Sequence, residues 1–555
     1  MGKADCHHFL ARVLCVLLLI ILLFNRPTIC SSRQEHEEQQ WPCGDGNLRF
    51  ASYYEDHMVL QKSPERALLW GCGPLGEQVT VYVQGPNTQQ TLATVSDESG
   101  MWRVMLAPVE AGGPYNITAA LTNLQNTYVT LVDVLFGDVW LCSGQSNMFF
   151  KVLGLVNASG ELALASKYPH VRFFMVGLVQ KDTELLDLTK VDISWSVPNE
   201  SKTSLGSITN LASFSALCWL FGRYLYNTLQ YPIGLVESSW GGTPVEAWSS
   251  HSALRKCGLD NPDENSTGPI SNSVLWNAMI HPLLNLTIKG AIWYQGESNA
   301  DYHRDLYNCT FPAMIDSWRM GFHEGSGGQT AIQFPFGFVQ LSTYKRHSTD
   351  DGFPEIRWHQ TADYGFVPNP RMMNTFMAVA MDLPDETSPY GTIHPRYKED
   401  VAYRLTLGAK ALAYNYSLTF HGPFPDHILP QKLYVNLTFD QQLSVTPSTD
   451  IFEICCSASI SCGPRANWVS APIITWDQTT IQLSTESCPD QVAAVRYAWT
   501  DWPCDFKACP VYGSNTSLPA PPFVISLQQS FGWKRNVATN RYFNTDGQKV
   551  HDGVL

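Results

Sequence analysis

Long apolar runs that end in polar clusters dominate the middle of this 555-residue chain, from about residue 131 to residue 420. Four of them read LVDVLFGDVWLC, YPIGLVESSW, LTIKGAIWYQG and MNTFMAVAMDL. Uninterrupted apolar runs of this kind are typical of strands buried on both faces. Helix-like stretches, such as ASFSALCWLFGRYLYNTL and EDVAYRLTLGAKALAYNY, lie between them. The alternation predicts an α/β fold in which helices flank a parallel sheet, and ligands of such sheets bind at the carboxyl ends of the strands.

Both flanking regions predict β-structure of a different kind. Residues 43–130 contain short strand-like runs, such as ALLWG and QVTVYVQG, separated by Gly, Pro, Asn and Asp, which indicates an N-terminal β-domain. Residues 421–530 contain runs such as KLYVNLTF and VAAVRYAWT, which indicate a C-terminal β-domain. With residues 131–420 as the central domain, we expect three domains and a loose polar tail at 531–555.

The first thirty residues have the pattern of a secretory signal peptide. Lys3 and Arg12 precede an apolar run from Val13 to Phe24, and small residues follow in PTICSS. This run is too short to favour a membrane anchor. No other stretch of the sequence is long and apolar enough to span a bilayer, so we expect a soluble mature protein that is secreted or lysosomal.

Cysteine usage agrees with a secretory route. Three of the 15 cysteines lie in the predicted signal peptide, which leaves twelve between Cys43 and Cys509. An even number in a secreted chain indicates disulfides, although the sequence does not give their connectivity. The half-dozen between Cys455 and Cys509 are dense enough to staple one small domain. Zinc is disfavoured, because no paired C-x-x-C motifs with histidine partners occur.

A high density of N-x-S/T sequons predicts a glycoprotein. The candidate glycosylation sites are Asn116, Asn157, Asn199, Asn265, Asn285, Asn308, Asn415, Asn436 and Asn515. The formal net charge of −14 argues against nucleic acid as a partner, because no basic stripe is available to neutralise phosphates.

Ser146 follows the first of the long apolar runs, in the segment GQSNM. Gly144 permits a tight turn that would expose the serine hydroxyl. A serine becomes a nucleophile when a base, normally a histidine held by a third group, accepts its proton. The alternative is a turn serine that caps the following helix, and Gly-x-Ser alone favours that alternative.

Two later runs also end in residues suited to acyl transfer. The second of the quoted runs is followed by GGTPVEAW, where Gly242 could offer a backbone N–H to an oxyanion, or could belong to an ordinary turn. The third ends in QGESN, where Gln295 and Asn299 carry amide donors and Glu297 could orient a neighbour or bind substrate hydroxyls. A plain polar loop is the alternative for the third segment.

His394 lies in the segment GTIHP, just before a predicted helix and after the last apolar run. A histidine on that loop faces the strand ends, where a base for Ser146 is required. Asp382 and Asp385, slightly upstream, are both candidates to orient the imidazole, and both could equally be turn or capping residues. Each signal is modest alone, but together they follow the order nucleophile, glycine, amide, histidine.

That order, in the segments GQSNM, GGTPVEAW, WYQGESN and IHP, resembles the SGNH hydrolases and, more closely, the sialate O-acetylesterase family. The segments MVLQKSPERALLWG and AGGPYNIT resemble the N-terminal β-domain of that family, so the similarity extends over nearly the whole mature chain. It implies an SGNH-hydrolase-like sheet and a serine esterase that removes acetyl groups, 9-O-acetyl and related, from sialic acids, free or on glycoconjugates.

Carried over by position, the resemblance implies Ser146 as nucleophile and His394 as base. Gly242, Asn299 or Gln295, and the N–H of Ser146 would form the oxyanion hole, and no metal or cofactor is needed. One departure concerns the acid. Many SGNH enzymes carry it three residues before the histidine, where this chain has Gly391, so the acid would be Asp382 or Asp385, or the site would work as a Ser–His pair.

Two other functions fit the sequence less well. One is an acetyl esterase for other polysaccharides, such as acetyl xylan, because acetyl xylan esterases share this constellation. The other is a catalytically silent carbohydrate-binding protein, against which the intact Ser146 and His394 argue.

Overall fold

The computed structural model describes residues 43, 45–86, 89–124, 126–198, 210–259, 267–457, 462, 466–488 and 491–526, and the backbone of 533–536 and 541–544. The predicted signal peptide and the sequons at Asn199 and Asn265 lie outside these residues. No helix in the described ranges has the length and apolar character that crossing a membrane requires.

Short strands form the N-terminal part of the chain, as its turn-rich sequence predicts. They are β1 (Arg49–Phe50), β2 (Val59–Gln61), β3 (Leu68–Cys72), β4 (Gln78–Gln84), β5 (Gln89–Val95), β6 (Met101–Met105), β7 (Gly112–Leu121) and β8 (Tyr128–Gly144). Strands β1, β3 and β6 make one small antiparallel sheet. Strand β4 pairs antiparallel with β5 and β7, and β7 pairs antiparallel with β8.

Strand β8 belongs to two structural layers. Its first half pairs with β7 and, in parallel, with β2, whereas its second half pairs with strands of the central sheet. The boundary predicted between residues 130 and 131 therefore falls inside a continuous strand. This shared strand joins the N-terminal sheet rigidly to the strand end that precedes Ser146.

The central region alternates helices and strands, as its apolar runs predict. Its elements are α1 (Ser146–Phe149), α2 (Ala158–Leu164), β9 (Val171–Val176), β10 (Val191–Ser196), α3 (Ala216–Leu229), β11 (Ile233–Ser239), α4 (His251–Lys256), β12 (Gly290–Tyr294), α5 (Tyr307–Gly325), β13 (Phe336–Gln340), α6 (Gly352–His359), β14 (Thr375–Val379) and α7 (Lys398–Ala413). The strand order is β10-β9-β11-β8-β12-β13-β14. All pairings in it are parallel except that of the edge strand β10.

Helices α3 and α7 cover one face of this sheet. Trp140 of β8 and Leu235 of β11 are partners in the register, so their side chains point to the same face. Trp140 packs edge-on against Phe221 of α3, with the ring centroids 5.0 Å apart. Phe376 of β14, which points to the same face, lies directly under Gly408 of α7, where a larger residue would clash.

Helix α5 covers the opposite face. Trp293 of β12 pairs with Ser143 of β8, three residues along from Trp140, so it points away from α3. It packs against Phe311 and Trp318 of α5, with centroid distances of 6.4 and 5.6 Å. Helices therefore cover both faces, and β9, β11, β12, β13 and β14 are buried throughout.

The C-terminal region consists of strands. They are β15 (Pro425–Pro430), β16 (Tyr434–Phe439), β17 (Leu443–Val445), β18 (Phe452–Cys456), β19 (Trp468–Ser470), β20 (Ile473–Trp476), β21 (Thr480–Ser484), β22 (Val492–Tyr497), β23 (Val511–Gly513) and β24 (Phe523–Ser526). Two four-stranded antiparallel sheets, β15-β16-β21-β20 and β19-β18-β22-β24, form its body. A C-terminal β-domain is therefore present, as predicted.

All twelve predicted disulfide cysteines are paired. The bonds are Cys43–Cys72, Cys142–Cys218, Cys257–Cys309, Cys455–Cys462, Cys456–Cys488 and Cys504–Cys509. The six C-terminal cysteines pair only with one another, which confirms that they staple one region. The bond from Cys142 to Cys218 ties β8, the strand before Ser146, to α3.

Part of the predicted loose tail is ordered as strand. The segments β25 (Trp533–Asn536) and β26 (Arg541–Asn544) pair antiparallel.

Candidate active site

The carboxyl edge of the central sheet brings the candidate residues together. Ser146 follows β8, Gly242 follows β11, and the segment Gln295–Asn299 follows β12. His394 lies in the loop between β14 and α7. Neighbouring parallel strands end at the same edge, so segments far apart in the chain meet there.

The turn before Ser146 requires glycine at position 144. Gly144 has a φ of +139°, and a Cβ on it would lie 2.1 Å from the carbonyl oxygen of Tyr294. The Gln145 N–H donates to that carbonyl at 2.9 Å, which fixes the turn against β12. Ser146 is half-buried and is the first residue of α1, whose cap position is Gln145. The interpretation of Ser146 as a capping serine is therefore wrong.

His394 contacts the serine hydroxyl directly. Its Nε2 lies 2.9 Å from Ser146 Oγ, and its Nδ1 lies 2.8 Å from the carbonyl oxygen of Tyr390. A carbonyl can only accept, so Nδ1 carries the proton and Nε2 presents a lone pair to the hydroxyl. Burial lowers the pKa of His394 below its usual range, the charge of Lys398 acts in the same direction, and the Tyr390 carbonyl opposes both. The imidazole is therefore neutral and able to accept a proton at neutral pH.

Neither candidate aspartate contacts His394. Asp382 is fully buried and forms a bidentate pair with Arg404, at 2.6 and 2.8 Å. Asp385 pairs with the guanidinium of Arg396 at 2.6 and 2.9 Å. Although burial acts to raise it, hydrogen bonds from Arg396 lower the pKa of Asp385. The prediction that one of these carboxylates orients the imidazole is wrong for this geometry, because both are committed to arginines.

The two predicted amide donors are also committed elsewhere. Asn299 Nδ2 donates to Glu246 at 2.9 Å and to the carbonyl oxygen of Tyr302 at 3.1 Å. Gln295 Nε2 donates to Asn299 Oδ1 at 2.7 Å and to the carbonyl oxygen of Thr243 at 3.2 Å. Both residues are fully buried, so their assignment as side-chain oxyanion donors is wrong: they brace the loop after β12 against the one after β11.

The backbone N–H groups of Ser146 and Gly242 remain the candidates for the predicted oxyanion hole. Ser146 begins a helix, so its N–H has no acceptor one turn earlier within that helix. Gly242 is exposed, has a φ of +75°, and has open space around its Cα. Its neighbour Gly241 lies against the nucleophile, since a Cβ there would sit 3.4 Å from Ser146 Cβ.

Glu297 contacts a residue that the sequence did not single out. Its Oε1 accepts a hydrogen bond of 2.6 Å from Asn147 Nδ2, and Asn147 Oδ1 in turn accepts one of 2.7 Å from Lys398 Nζ. Of the two predicted roles for Glu297, orienting a neighbour therefore fits its contacts. Asn147 lies next to Ser146 in the sequence and could have been noticed for that reason. Lys398 is the first residue of α7, and nothing in the sequence distinguishes it from a solvent-exposed lysine.

The described sequons differ in accessibility. Asn285 is only 8% exposed, which disfavours a glycan on it in the folded protein. Asn308 and Asn436 are half-buried, and Asn308 donates to Asp363 at 2.6 Å. The four exposed sequons are Asn116, Asn157, Asn415 and Asn515.

No group of three or more His, Cys, Asp or Glu side chains that could hold a metal ion occurs among the residues that the structure describes.

Comparison with known proteins identifies relatives over most of the chain. A family described as "Carbohydrate esterase, sialic acid-specific acetylesterase" matches residues 136–387, and "Sialate O-acetylesterase C-terminal domain" matches residues 428–527. The first match ends before His394.

Curated relatives extend this similarity. A protein named sialate O-acetylesterase from Mus musculus is 51% identical over 518 residues, covering 86% of this chain and 94% of the relative. Its namesake from Homo sapiens is 52% identical over 504 residues, covering 88% and 95%. The solved structure of a carbohydrate acetylesterase from Xanthomonas citri superposes with a TM-score of 0.71 at 26% identity, covering 86% of this chain and 99% of that one.

Proposed function

The chain belongs to the sialate O-acetylesterase family, and we propose that Ser146 and His394 carry out its reaction. That reaction is the hydrolysis of O-acetyl esters of sialic acids to free sialic acid and acetate. The observation that carries the proposal is the 2.9 Å contact between His394 Nε2 and Ser146 Oγ at the carboxyl edge of the sheet.

In the first half of the reaction, Ser146 Oγ attacks the acetyl carbonyl carbon while His394 Nε2 takes the hydroxyl proton. The tetrahedral intermediate then collapses, the bond from the acetyl carbon to the sugar oxygen breaks, and the imidazolium gives its proton to that oxygen. Sialic acid leaves, and the acetyl group stays on Ser146.

In the second half, His394 takes a proton from water as the water oxygen attacks the acetyl-serine. Collapse of this second intermediate releases acetic acid, which ionises to acetate, and returns a proton through His394 to Ser146 Oγ. The lowered pKa of His394 supports the role of a base, because the imidazole that accepts each proton must be neutral beforehand.

The proposed oxyanion hole consists of the backbone N–H groups of Ser146 and Gly242. An N–H at a helix start is favourable for negative charge, because it has no acceptor within the helix. The open space around Gly242 supports access of the acetyl oxygen. Asn299 and Gln295 contribute indirectly, by bracing the loop that borders this hole.

The finer fold assignment is also a proposal. An SGNH-hydrolase-like central domain is supported by the parallel sheet and by the order of serine, glycine, amide and histidine along its carboxyl edge. We propose the flanking N-terminal and C-terminal regions as accessory β-domains, with β8 shared between the first of them and the central domain.

We further propose that the protein follows the secretory route and acts in the lysosome or outside the cell, on sialic acids that are free or carried by glycoconjugates. The six disulfides support an oxidising compartment. The four exposed sequons supply accessible glycan acceptors.

Replacement of Ser146 by Ala tests the proposed function. Turnover of 9-O-acetyl sialic acid by the folded variant should fall to background. Ser143→Ala is the matched control, since that hydroxyl is buried three residues earlier and makes no hydrogen bond. Near-normal turnover by Ser146→Ala would refute the mechanism. The wild-type protein is also assayed on acetyl xylan. If it hydrolyses acetyl xylan in preference to 9-O-acetyl sialic acid, the proposed substrate class is refuted and the mechanism stays intact.

A further inference from the structure

Three buried polar side chains lie behind the catalytic pair and take no part in the proton transfers. Asn147 is 1% exposed, Glu297 is 8% exposed and Lys398 is fully buried. Charged side chains are rarely buried so deeply without a partner that justifies the desolvation. Asn147, Glu297 and Lys398 come from three different segments, the ones that follow β8 and β12 and the one that begins α7.

Asn147 links the other two side chains, because both its amide oxygen and its amide nitrogen form hydrogen bonds. Lys398 Nζ can only donate, so the atom that receives it at 2.7 Å is the carbonyl oxygen of the amide. The amide nitrogen then donates to Glu297 Oε1 at 2.6 Å and to the main-chain carbonyl of Ile393 at 2.9 Å. The residue directly after the nucleophile thus holds the residue directly before the base.

Lys398 holds the other side of the histidine. Its Nζ donates to the main-chain carbonyl of Pro395 at 2.6 Å and lies 4.9 and 5.3 Å from the ring centroids of Phe150 and Tyr294. The carbonyls on both sides of His394 are therefore fixed by side chains that also contact each other.

We propose that Asn147, Lys398 and Glu297 form a positioning clamp that orients His394 through its main chain and so replaces the carboxylate of a catalytic triad. The proposal rests on the Ser146–His394 mechanism described above. A triad acid holds the imidazole at Nδ1, but among the described residues the partner of that nitrogen is the backbone carbonyl of Tyr390. The orientation of the ring then depends on the geometry of the loop, and the clamp fixes that geometry relative to the nucleophile.

The charges of the clamp also act on the histidine. Burial lowers the pKa of Lys398 to about 7, while Glu297, Asp385 and Glu399 oppose that shift. Burial raises the pKa of Glu297, against the effect of Asn147 and Lys398. Burial lowers the pKa of His394, the Tyr390 carbonyl raises it, and the charge of Lys398 lowers it further. When Lys398 is protonated, it favours the neutral imidazole that the mechanism requires.

The test replaces Lys398 by Met, which keeps most of the volume and removes the donor and the charge. The substitution leaves Asn147 Oδ1 and the Pro395 carbonyl without this donor, which destabilises the fold, so circular dichroism must first show that the variant is folded; its KM should then be similar. We expect kcat to fall about 10²-fold, as for a catalytic group displaced by roughly 1 Å. The acidic limb of the kcat/KM profile should move to higher pH, a shift that a merely structural lysine would not cause. Lys410→Met, on the same helix and outside the site, is the matched control.

A second pair of variants keeps the test independent of Lys398. Glu297→Gln retains an oxygen that can accept from Asn147, whereas Glu297→Ala does not, so the Gln variant should lose less kcat than the Ala variant. Equal losses in these two variants, or a Lys398→Met enzyme with the kcat of Lys410→Met, would overturn the clamp. If Ser146→Ala is inactive while Lys398→Met is normal, only the clamp fails. If Ser146→Ala remains active, the proposed mechanism fails and the clamp with it.

Discussion

Replacing Gly144 by Ala tests whether the turn before Ser146 sets the catalytic geometry. The new Cβ would lie 2.1 Å from the Tyr294 carbonyl oxygen, about 1.4 Å or more short of an ordinary contact. The backbone φ of +139° adds strain of about 1–3 kcal/mol. Overpacking in a region this rigid costs about 1–3 kcal/mol more. We therefore expect a loss of about 2–6 kcal/mol in the free energy of unfolding, unless the turn moves to relieve it.

Movement of the turn should appear in the kinetics. The clash pushes β8 away from β12 and carries Ser146 Oγ out of its 2.9 Å contact with His394. A displacement of about 1 Å corresponds to roughly a 10²-fold loss in kcat. Thermal unfolding and steady-state hydrolysis of 9-O-acetyl sialic acid measure the two effects on one preparation.

Gly258→Ala is the matched control for this experiment. Gly258 has a φ of +76° and open space around its Cα, so its substitution causes backbone strain of about 1 kcal/mol without a clash. The control should keep the wild-type kcat. If Gly144→Ala unfolds at the same temperature as Gly258→Ala and retains its kcat, the reasoning from the close contact is refuted.

Three further predictions follow from the site and the surface. Burial holds the pKa of His394 below its ordinary 6.5. We therefore expect kcat/KM to fall at acidic pH with a midpoint below 6.5. An acidic midpoint above 6.5 would contradict this. Neither Asp382→Asn nor Asp385→Asn should approach the roughly 10⁴-fold loss in kcat that replacement of a triad acid causes; a folded variant with such a loss would restore that aspartate as the acid. Glycopeptide mapping of the protein expressed in animal cells should find glycans at the four exposed sequons and none at Asn285, and full occupancy of Asn285 would show that its burial does not protect it.

Local sequence patterns predicted the α/β region, and together with the family resemblance they predicted that Ser146 and His394 work as a pair. Apolar runs long enough to be buried on both faces predict parallel strands, and parallel strands deliver their carboxyl ends to one edge. Gly144, Ser146 and Gly242 follow such runs, so their proximity is a consequence of topology. The twelve cysteines outside the predicted signal peptide likewise indicated disulfides, but not which cysteines would pair.

The sequence could not assign the carboxylates and amides. Asp382 and Asp385 lie close to His394 along the chain, yet each is held by an arginine, one of which is on α7. Asn299 has the chemistry of an oxyanion donor, but its amide is used by Glu246. Donor capacity is a property of a residue type, whereas its availability depends on which partners the fold brings within 3 Å or so.

The sequence by itself determined which residues reach the carboxyl edge of the sheet, because that follows from where each uninterrupted apolar run ends. The tertiary structure alone decided how the histidine is held. The carbonyl of Tyr390 at Nδ1 has no side-chain signature, since every residue carries a carbonyl. Lys398 looks like an exposed lysine until α7 packs onto the sheet and buries it. Orientation and protonation of His394 depend on how the loop around it is folded and on the long-range hydrogen bonds of Asn147 with Ile393 and Lys398 that hold this loop, which no local pattern encodes.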